Sequence, residues 1–190
     1  MRILIADDEA IIRLGLKSTL EQMGHQVVGA AADGEAAVSL ARETRPDLVM
    51  LDIKMPGLDG LSAAEAISAE RPVPIVILSA YSDRDLVERA ASLAVHGYLV
   101  KPFRPAELGP TIEIALSRFE EAEALRQEAD DLQEALRTRA IVEQAKQLVM
   151  QKYGLREGDA FRMLQQQARR ERRSMRDICK DLLDREQSLS

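Results

Sequence analysis

Five short apolar runs alternate with longer stretches of helical period along the first half of the chain. Each run lacks strict polar alternation, and a helix-length stretch separates it from the next. This arrangement predicts an α/β fold with a doubly wound, five-stranded parallel sheet covered by helices on both faces. The five runs are Arg2–Ala6, Gln26–Ala30, Asp47–Leu51, Pro74–Ser79 and Gly97–Val100.

Charged side chains follow three of these runs. Because the carboxyl ends of parallel strands share one edge of a sheet, we expect the carboxylates of Asp7, Asp8 and Asp52 to converge there. The ammonium group of Lys101 is expected beside them. Such a group suits a divalent cation and a phosphoryl group, since neighbouring carboxylates raise one another's pKa unless a cation is present. The three segments read LIADDE, VMLDIKMPGLDG and YLVKPF.

Length and composition indicate a folded protein with two parts. The chain has 190 residues, of which 46% are hydrophobic, which suffices for one ordinary domain and a small second one. No apolar stretch approaches the roughly 20 residues of a membrane-spanning helix, so we expect a cytoplasmic protein with no membrane partner. The single cysteine, Cys179, lies in an apolar helical pattern, which favours a core residue over a reactive thiol.

The net charge of −6 is unevenly distributed along the chain. Between Arg137 and Arg185 there are 13 Lys or Arg against 7 Asp or Glu, whereas the rest of the chain has 13 against 25. The acidic part suits metal and phosphate chemistry, and the basic part suits a polyanion.

An apolar stripe continues beyond Pro105 at spacings of three and four residues. Because its flanking residues are mostly charged or Gln, it predicts a coiled-coil seam between two copies of the chain. The alternative is that the stripe packs against its own first domain. Since Pro110 cannot donate to the helical ladder, we expect the regular helix to begin there. The stripe comprises Ile112, Leu116, Phe119, Ala122, Leu125, Ala129, Leu132 and Leu136.

The remainder, from about Arg139, predicts three short helices that enclose a small core. The first is expected to end at Gly154, a natural left-handed cap. The third is expected to begin at Ser174, with Asp177 in a box-like position three residues later. The predicted organisation is an α/β domain over residues 1–116, a helical coiled-coil linker over 117–138 and an all-α domain over 139–190.

The first domain resembles the receiver domain of two-component response regulators, which have a flavodoxin-like fold. The resemblance implies that Asp52 accepts a phosphoryl group from a partner sensor histidine kinase. It also implies a Mg²⁺ site formed by Asp8, Asp52 and the main-chain carbonyl of Lys54, with Asp7 acting through water. The matching residues are the Asp7-Asp8 pair, Asp52 with Met55-Pro56-Gly57 and Asp59-Gly60, Ser79, and Tyr98 with Lys101-Pro102.

The same resemblance assigns roles to residues on the last two strands. Lys101 would contact the phosphoryl group, and Ser79 and Tyr98 would form a two-position switch that responds to it. Considered singly, Ser79 and Tyr98 would be ordinary strand residues. The resemblance further implies a cis Lys101-Pro102 bond. The bulky side chains of Lys54 and Tyr81, two residues beyond Asp52 and Ser79, are expected to slow loss of the phosphoryl group.

Residues 140–183 resemble the ANTAR RNA-binding domain of transcription antitermination regulators. Two positions depart from the family pattern: Gln147 replaces the usual Gly, and Arg156 replaces a Ser or Thr cap, which should weaken the start of the second helix. The residues that carry the resemblance are Ala145-Lys146, Leu148, Met150, Gly154-Leu155, Ala160-Phe161, Leu164, Ala168 and Ser174-Met175.

Clustered cations in this region are candidate contacts to RNA stem-loops, as the resemblance implies. The alternative is an ordinary solvated helical surface, but the clustering beside an acidic remainder favours polyanion binding. The candidates are Lys146, Arg162, Arg169, Arg170, Arg172, Arg173, Arg176 and Lys180.

Taken together, the residues and the two resemblances predict a homodimeric response regulator, not an enzyme, in which phosphorylation of Asp52 controls RNA binding and transcription antitermination. One alternative is a receiver-type DNA-binding transcription regulator. The other is a phosphotransfer module whose basic helices dock an acidic protein.

Overall fold

The computed structural model describes residues 1–80 and 95–187. The chain divides into two compact units, Met1–Glu123 and Ala124–Ser190. The division falls inside the predicted linker. Among the described residues, no helix has an apolar stretch long enough to span a membrane.

The described residues form five strands and six helices. In chain order these are β1 Arg2–Ala6, α1 Ala10–Gln22, β2 Gln26–Ala31, α2 Gly34–Thr44, β3 Leu48–Asp52, α3 Gly60–Glu70, β4 Ile75–Ala80, β5 Gly97–Lys101, α4 Pro105–Tyr153, α5 Glu157–Glu171 and α6 Met175–Gln187.

The five strands form one parallel sheet in the order β2-β1-β3-β4-β5. This order confirms the predicted doubly wound fold. The chain reverses its direction of progress across the sheet between β1 and β3, and a crevice forms at the carboxyl ends of strands at such a point. Asp7 follows β1, and Asp52 ends β3 beside it.

Both faces of the sheet are covered, which explains why its strands are apolar without alternation. On one face, strand residues such as Leu4, Leu51 and Ile77 pack with apolar residues of α2 and α3. On the other face, Ile5 and Met50 pack with a second set of helical residues. Those residues are Leu16, Leu20, Leu108, Ile112 and Ala115.

Helix α4 begins earlier than the sequence predicted. It begins at Pro105, not Pro110, and Pro110 lies inside it. Proline at the start of a helix leaves no donor unsatisfied, and the backbone N–H of Arg104 donates to Glu107 Oε2 at 2.9 Å, as in a capping box. Burial of Leu108 and Ile112 on either side of Pro110 stabilises the helix across the missing hydrogen bond.

The predicted first short helix of the C-terminal region is the last part of α4. The helix runs unbroken to Tyr153 because neither glycine nor proline occurs between Pro110 and Gly154. As expected, Gly154 has a left-handed conformation, with φ of +63°. The Ser174 prediction is also confirmed, since the backbone N–H of Asp177 donates to Ser174 Oγ at 3.1 Å.

The second unit has its own small core. Ala145 and Val149 of α4 pack against Ala160 and Leu164 of α5 and against Cys179 of α6. Burial raises the pKa of the Cys179 thiol, so this residue is a core side chain and not a reactive one.

The apolar stripe on α4 has two parts. Ile112 and Leu116 pack in the core of the first unit, and the Phe119 ring contacts His96 edge to face at 5.1 Å between centroids. This part of the stripe packs against the chain's own first domain, which was the alternative to a coiled-coil seam. Further along, Leu125, Leu132 and Leu136 are 67%, 62% and 58% exposed. The exposed leucines of the stripe in the described chain therefore lie in this second part.

Candidate functional site

The three predicted carboxylates lie together at the carboxyl edge of the sheet. Asp7, Asp8 and Asp52 each present an oxygen within 4.8 Å of the others. Asp7 is fully buried and Asp52 is 6% exposed, whereas Asp8 is exposed. Burial, with the charges of Asp7 and Asp8, raises the pKa of Asp52, although Lys101 opposes the shift.

Lys101 lies between the buried carboxylates, as the sequence predicted. Its Nζ is 2.6 Å from Asp7 Oδ2, 3.1 Å from Asp52 Oδ1 and 4.0 Å from Glu9 Oε1. Burial on its own would lower the pKa of Lys101, but its hydrogen bonds to Asp7 and Asp52 outweigh this and raise the pKa. Lys101 therefore stays protonated and offsets part of the negative charge of the cluster.

The segment after Asp52 approaches the end of β3 very closely. A Cβ at Gly60 would lie 1.9 Å from the carbonyl oxygen of Asp52, so only glycine fits there. The Gly60 N–H donates to the Ile53 carbonyl at 2.9 Å, and Asp59 caps α3 by accepting from the Ser62 N–H at 2.7 Å. These contacts fix the loop that carries Asp52 to α3 and explain the Asp59-Gly60 pair.

Ser79 and Tyr98 lie on neighbouring strands near the acidic cluster. Asp52 pairs with Leu78 in the register of β3 and β4, so the buried Ser79 comes one residue later. Tyr98 is half-buried and packs against the core between the sheet and α2 and α3. Burial raises the pKa of its hydroxyl, although Arg118 acts in the opposite direction.

The remaining receiver-like positions surround this edge. The Lys101-Pro102 peptide bond is cis, as predicted. An open cavity of about 460 Å³ lies beside Asp8 and is lined by Lys54, Met55 and Pro56, among others. Tyr81, the other residue expected to slow phosphoryl loss, lies outside the described residues.

Sequence reasoning missed a cation that contacts the same loop. Arg13 of α1 donates from Nη1 to the carbonyl oxygens of Asp7, at 2.5 Å, and Asp8, at 3.1 Å. The available signal was its position five residues after the acidic pair and within the first turns of the following helix, from which a long side chain can reach back.

The cluster fits a hard divalent cation. Three carboxylates are the oxygen donors that Mg²⁺ prefers, and a cation relieves the repulsion between them. The cation site would be formed by Asp7, Asp8 and Asp52.

Four of the eight predicted RNA contacts have acidic partners within their own unit. Lys146 Nζ lies 2.7 Å from Glu143 and 2.6 Å from Glu157, and its side chain is only 11% exposed. Both hydrogen bonds raise its pKa. The other three pairs are Arg162 with Asp159, Arg173 with Asp181, and Arg176 with Glu134.

The other four predicted contacts form what we call the exposed basic set. Arg169 and Arg170 lie in the last turn of α5, Arg172 follows it and Lys180 lies on α6. All four are exposed.

Family models match both units. The model of the response regulator receiver domain matches residues 3–113, and the model of the ANTAR domain matches residues 130–183. Both are regulatory domains.

Two curated relatives illustrate the extent of the similarity. The chain is 48% identical to the transcriptional regulatory protein PdtaR of Mycobacterium tuberculosis, over 96% of this chain and 89% of that protein. It is 41% identical to the probable transcriptional regulator ycf27 of Porphyridium aerugineum, over 64% of this chain and 50% of that protein.

Solved structures agree with the fold of the first unit. The receiver domain of a modulated diguanylate cyclase from Desulfovibrio desulfuricans has a TM-score of 0.59 and 32% identity, covering 64% of this chain and 97% of its own. CheY in the CheX-CheY-BeF3-Mg complex from Borrelia burgdorferi has a TM-score of 0.56 and 27% identity, covering 63% and 89%. The sheet order, the acidic cluster and the two matched domains together show that the chain belongs to the response regulators, with an N-terminal receiver domain and a C-terminal ANTAR domain.

Proposed function

We propose that the protein is phosphorylated on Asp52 by a sensor histidine kinase, and that this event controls RNA binding and transcription antitermination. The observation that carries the proposal is the position of Asp52 at the end of β3, with Asp7 beside it and Lys101 Nζ 3.1 Å from its carboxylate. The presence of an ANTAR domain in the same chain supports RNA as the output ligand.

Phosphotransfer needs little from the protein beyond positioning and charge compensation. A carboxylate oxygen of Asp52 attacks the phosphorus of a phosphohistidine, the P–N bond breaks, and its electron pair leaves with the imidazole nitrogen. The product is an acyl phosphate on Asp52. Lys101 is held protonated beside the attacking carboxylate and compensates the charge of the incoming phosphoryl group.

The metal site is proposed to comprise Asp7, Asp8, Asp52 and the main-chain carbonyl of Lys54. Bound Mg²⁺ would supply charge compensation to the phosphoryl oxygens. The similarity of the first unit to CheY, which was crystallised with BeF3 and Mg²⁺, supports this choice of ion. In the protein itself, the Lys101 contacts hold two of the ligands, Asp7 and Asp52, close together.

Ser79 and Tyr98 are proposed to transmit the signal. The Ser79 hydroxyl, one residue beyond the partner of Asp52 on β4, would donate a hydrogen bond to the new phosphoryl oxygen. Movement of Ser79 would open space for the half-buried Tyr98 ring on the adjacent β5. Phosphorylation of Asp52 would thus shift the equilibrium between two arrangements of these side chains that have similar energy.

For RNA, the exposed basic set is proposed to make the main phosphate contacts. Its members combine exposure with cationic charge, and Arg side chains can also stack on unpaired loop bases. Lys146, Arg162, Arg173 and Arg176 would contribute after exchanging their acidic partners for phosphate. A homodimer through the exposed part of the α4 stripe would place two ANTAR domains on paired stem-loops in the cytoplasm, where nascent transcripts occur.

Separate measurements of phosphorylation and binding test the proposal. Incubation of the full chain with a phosphorylated histidine kinase and Mg²⁺ should label the protein, and Asp52→Asn should abolish the label. Binding to stem-loop RNA and to matched duplex DNA is then measured at one stated salt concentration, with and without phosphorylation.

We expect a preference for RNA that strengthens on phosphorylation and has a steep salt dependence. Preference for duplex DNA would instead indicate a DNA-binding regulator. Binding to neither nucleic acid would indicate the protein-docking alternative.

A further inference from the structure

Arg13 makes an unusual pair of contacts at the acidic edge. Its Nη1 donates to the carbonyl oxygen of Asp7 at 2.5 Å and to that of Asp8 at 3.1 Å. These two residues carry carboxylates of the candidate metal site. The Arg13 side chain therefore contacts the backbone of two candidate metal ligands but not their carboxylates.

Local capping around these two residues is incomplete. Glu9, the N-cap of α1, makes no side-chain capping hydrogen bond. The Glu9 N–H donates instead to Asp7 Oδ1 at 2.9 Å, and the Asp7 N–H donates to Ala31 at 3.2 Å. In this loop, the carbonyls of Asp7 and Asp8 accept from a side chain six and five residues further along the chain, where a helix is already formed.

We propose that Arg13 is a positioning residue for Mg²⁺ binding: by joining the carbonyls of Asp7 and Asp8 to α1, it holds their carboxylates in the geometry that the ion needs. This inference rests on the proposed function of the acidic cluster as a metal site. Outer contacts that orient metal ligands commonly change metal affinity by about 10- to 100-fold when removed.

The charge of Arg13 and its hydrogen bonds have opposite effects on metal binding. A positive charge close to the site repels Mg²⁺, so its loss alone would strengthen binding. Loss of the two carbonyl contacts would free the loop and weaken binding. Lysine keeps the charge but lacks the planar guanidinium with its fixed donors, so Arg13→Lys separates the two effects.

The experiment measures the Mg²⁺ dissociation constant of the full chain by titration calorimetry with magnesium chloride. Four proteins are compared: wild type, Arg13→Lys, Arg13→Met and Lys17→Met. Lys17 is the matched control, because it lies one turn further along α1 and its nearest acidic partner is Glu21, at 3.9 Å. We expect about 10-fold weaker binding in Arg13→Lys, a smaller loss in Arg13→Met because removal of the positive charge partly compensates, and less than about twofold change in Lys17→Met.

Wild-type affinity in Arg13→Lys would overturn the positioning role, and tighter binding in Arg13→Met beside it would leave only a charge effect. Hydrogen exchange without Mg²⁺ provides a second readout, since a loosened loop should make the amide of Glu9, which donates to Asp7 Oδ1, exchange faster in Arg13→Lys than in wild type. Unchanged exchange would contradict the inference. Absence of Mg²⁺ binding by the wild type would instead overturn the metal site itself, so the two failures are distinguishable.

Discussion

Two arginines end helices in the left-handed backbone conformation that glycine normally occupies. Arg45 follows α2 with φ of +46°, and Arg172 follows α5 with φ of +53°. This conformation costs a residue with a side chain roughly 1–2 kcal/mol. Arg172 belongs to the exposed basic set, whereas Arg45 lies in the receiver domain. An RNA contact would give a reason for arginine at position 172 despite this cost.

Replacing each arginine by glycine separates strain from function. We expect Arg172→Gly to stabilise the second unit by up to about 1 kcal/mol, because relieved strain is partly offset by the greater unfolded-chain entropy of glycine. The same variant should weaken RNA binding. Arg45→Gly should stabilise the first unit similarly and leave RNA binding unchanged. Hydrogen exchange measures the stability of each unit, and unchanged RNA affinity in Arg172→Gly would show that Arg172 is not a contact.

His96 makes the stability of the first unit dependent on pH. Its Nδ1 accepts the Ile75 N–H at 3.2 Å, which requires an unprotonated nitrogen. Burial lowers the pKa of His96 below 6.5, although Glu123 opposes this. The unfolded chain therefore binds a proton at a higher pH than the folded chain. The contribution of His96 to the stability of the first unit is complete when the pH is above the pKa of this histidine in the unfolded chain. It is lost as the pH falls below that pKa.

Replacement of His96 by Asn tests this dependence, because the Asn side-chain oxygen can accept the Ile75 N–H but does not titrate. Between about pH 7 and pH 5, wild type should lose more stability than His96→Asn, by no more than about 1.4 kcal/mol per pH unit. Chemical denaturation at each pH provides the comparison. Parallel losses in the two proteins would show that other groups dominate.

At the scale of elements, the start of α5 lacks the cap that most helices have. Arg156 occupies the N-cap with extended backbone angles and makes no side-chain capping hydrogen bond, as its departure from the family pattern predicted. Lys146 instead connects α4 to the first turn of α5 through Glu157, at 2.6 Å. This ion pair contributes to holding α5 in place without a capping hydroxyl.

Restoring the cap should stabilise the second unit. Arg156→Ser places a hydroxyl where it can accept a backbone N–H, and we expect a gain of about 1 kcal/mol relative to Arg156→Ala. The alanine variant removes the same positive charge from the helix N-terminus, so the difference between the two variants isolates the hydrogen bond. Thermal unfolding of the second unit measures the gain, and equal stability of the two variants would contradict the prediction.

The elements show what the sequence could and could not predict. Strand positions and the convergence of Asp7, Asp52 and Lys101 followed from the apolar runs, because the carboxyl ends of parallel strands lie at one edge of the sheet. The limits of α4 did not follow, because local rules penalise Pro110 whereas burial of flanking residues in the receiver core is a tertiary effect. The pairing of Lys146 with Glu157 was missed for the same reason, since Glu157 lies on another helix. Its pairing with Glu143, three residues earlier on α4, is a local contact that the helical spacing could have predicted.

For the whole molecule, the prediction concerns self-association through α4. The first part of the apolar stripe is used by the receiver core, and Ala122 and Ala129 are exposed but small, so the large exposed side chains of the stripe are Leu125, Leu132 and Leu136. Their spacing of seven and four residues fits a short two-stranded coiled coil. Paired chains would bring two ANTAR domains to one RNA, and the second contact would then form at high effective concentration.

We therefore expect Leu132→Glu to weaken self-association by at least about 10-fold, because each seam would then contain a carboxylate in an apolar contact. Ile114→Glu is the matched control: Ile114 is 52% exposed on the same helix but lies outside the stripe. Sedimentation at several concentrations, with and without phosphorylation, measures both variants. If Ile114→Glu disrupts the dimer and Leu132→Glu does not, the receiver surface and not the stripe forms the interface. If Leu132→Glu alone disrupts it, affinity for RNA with two stem-loops should fall towards that for RNA with one.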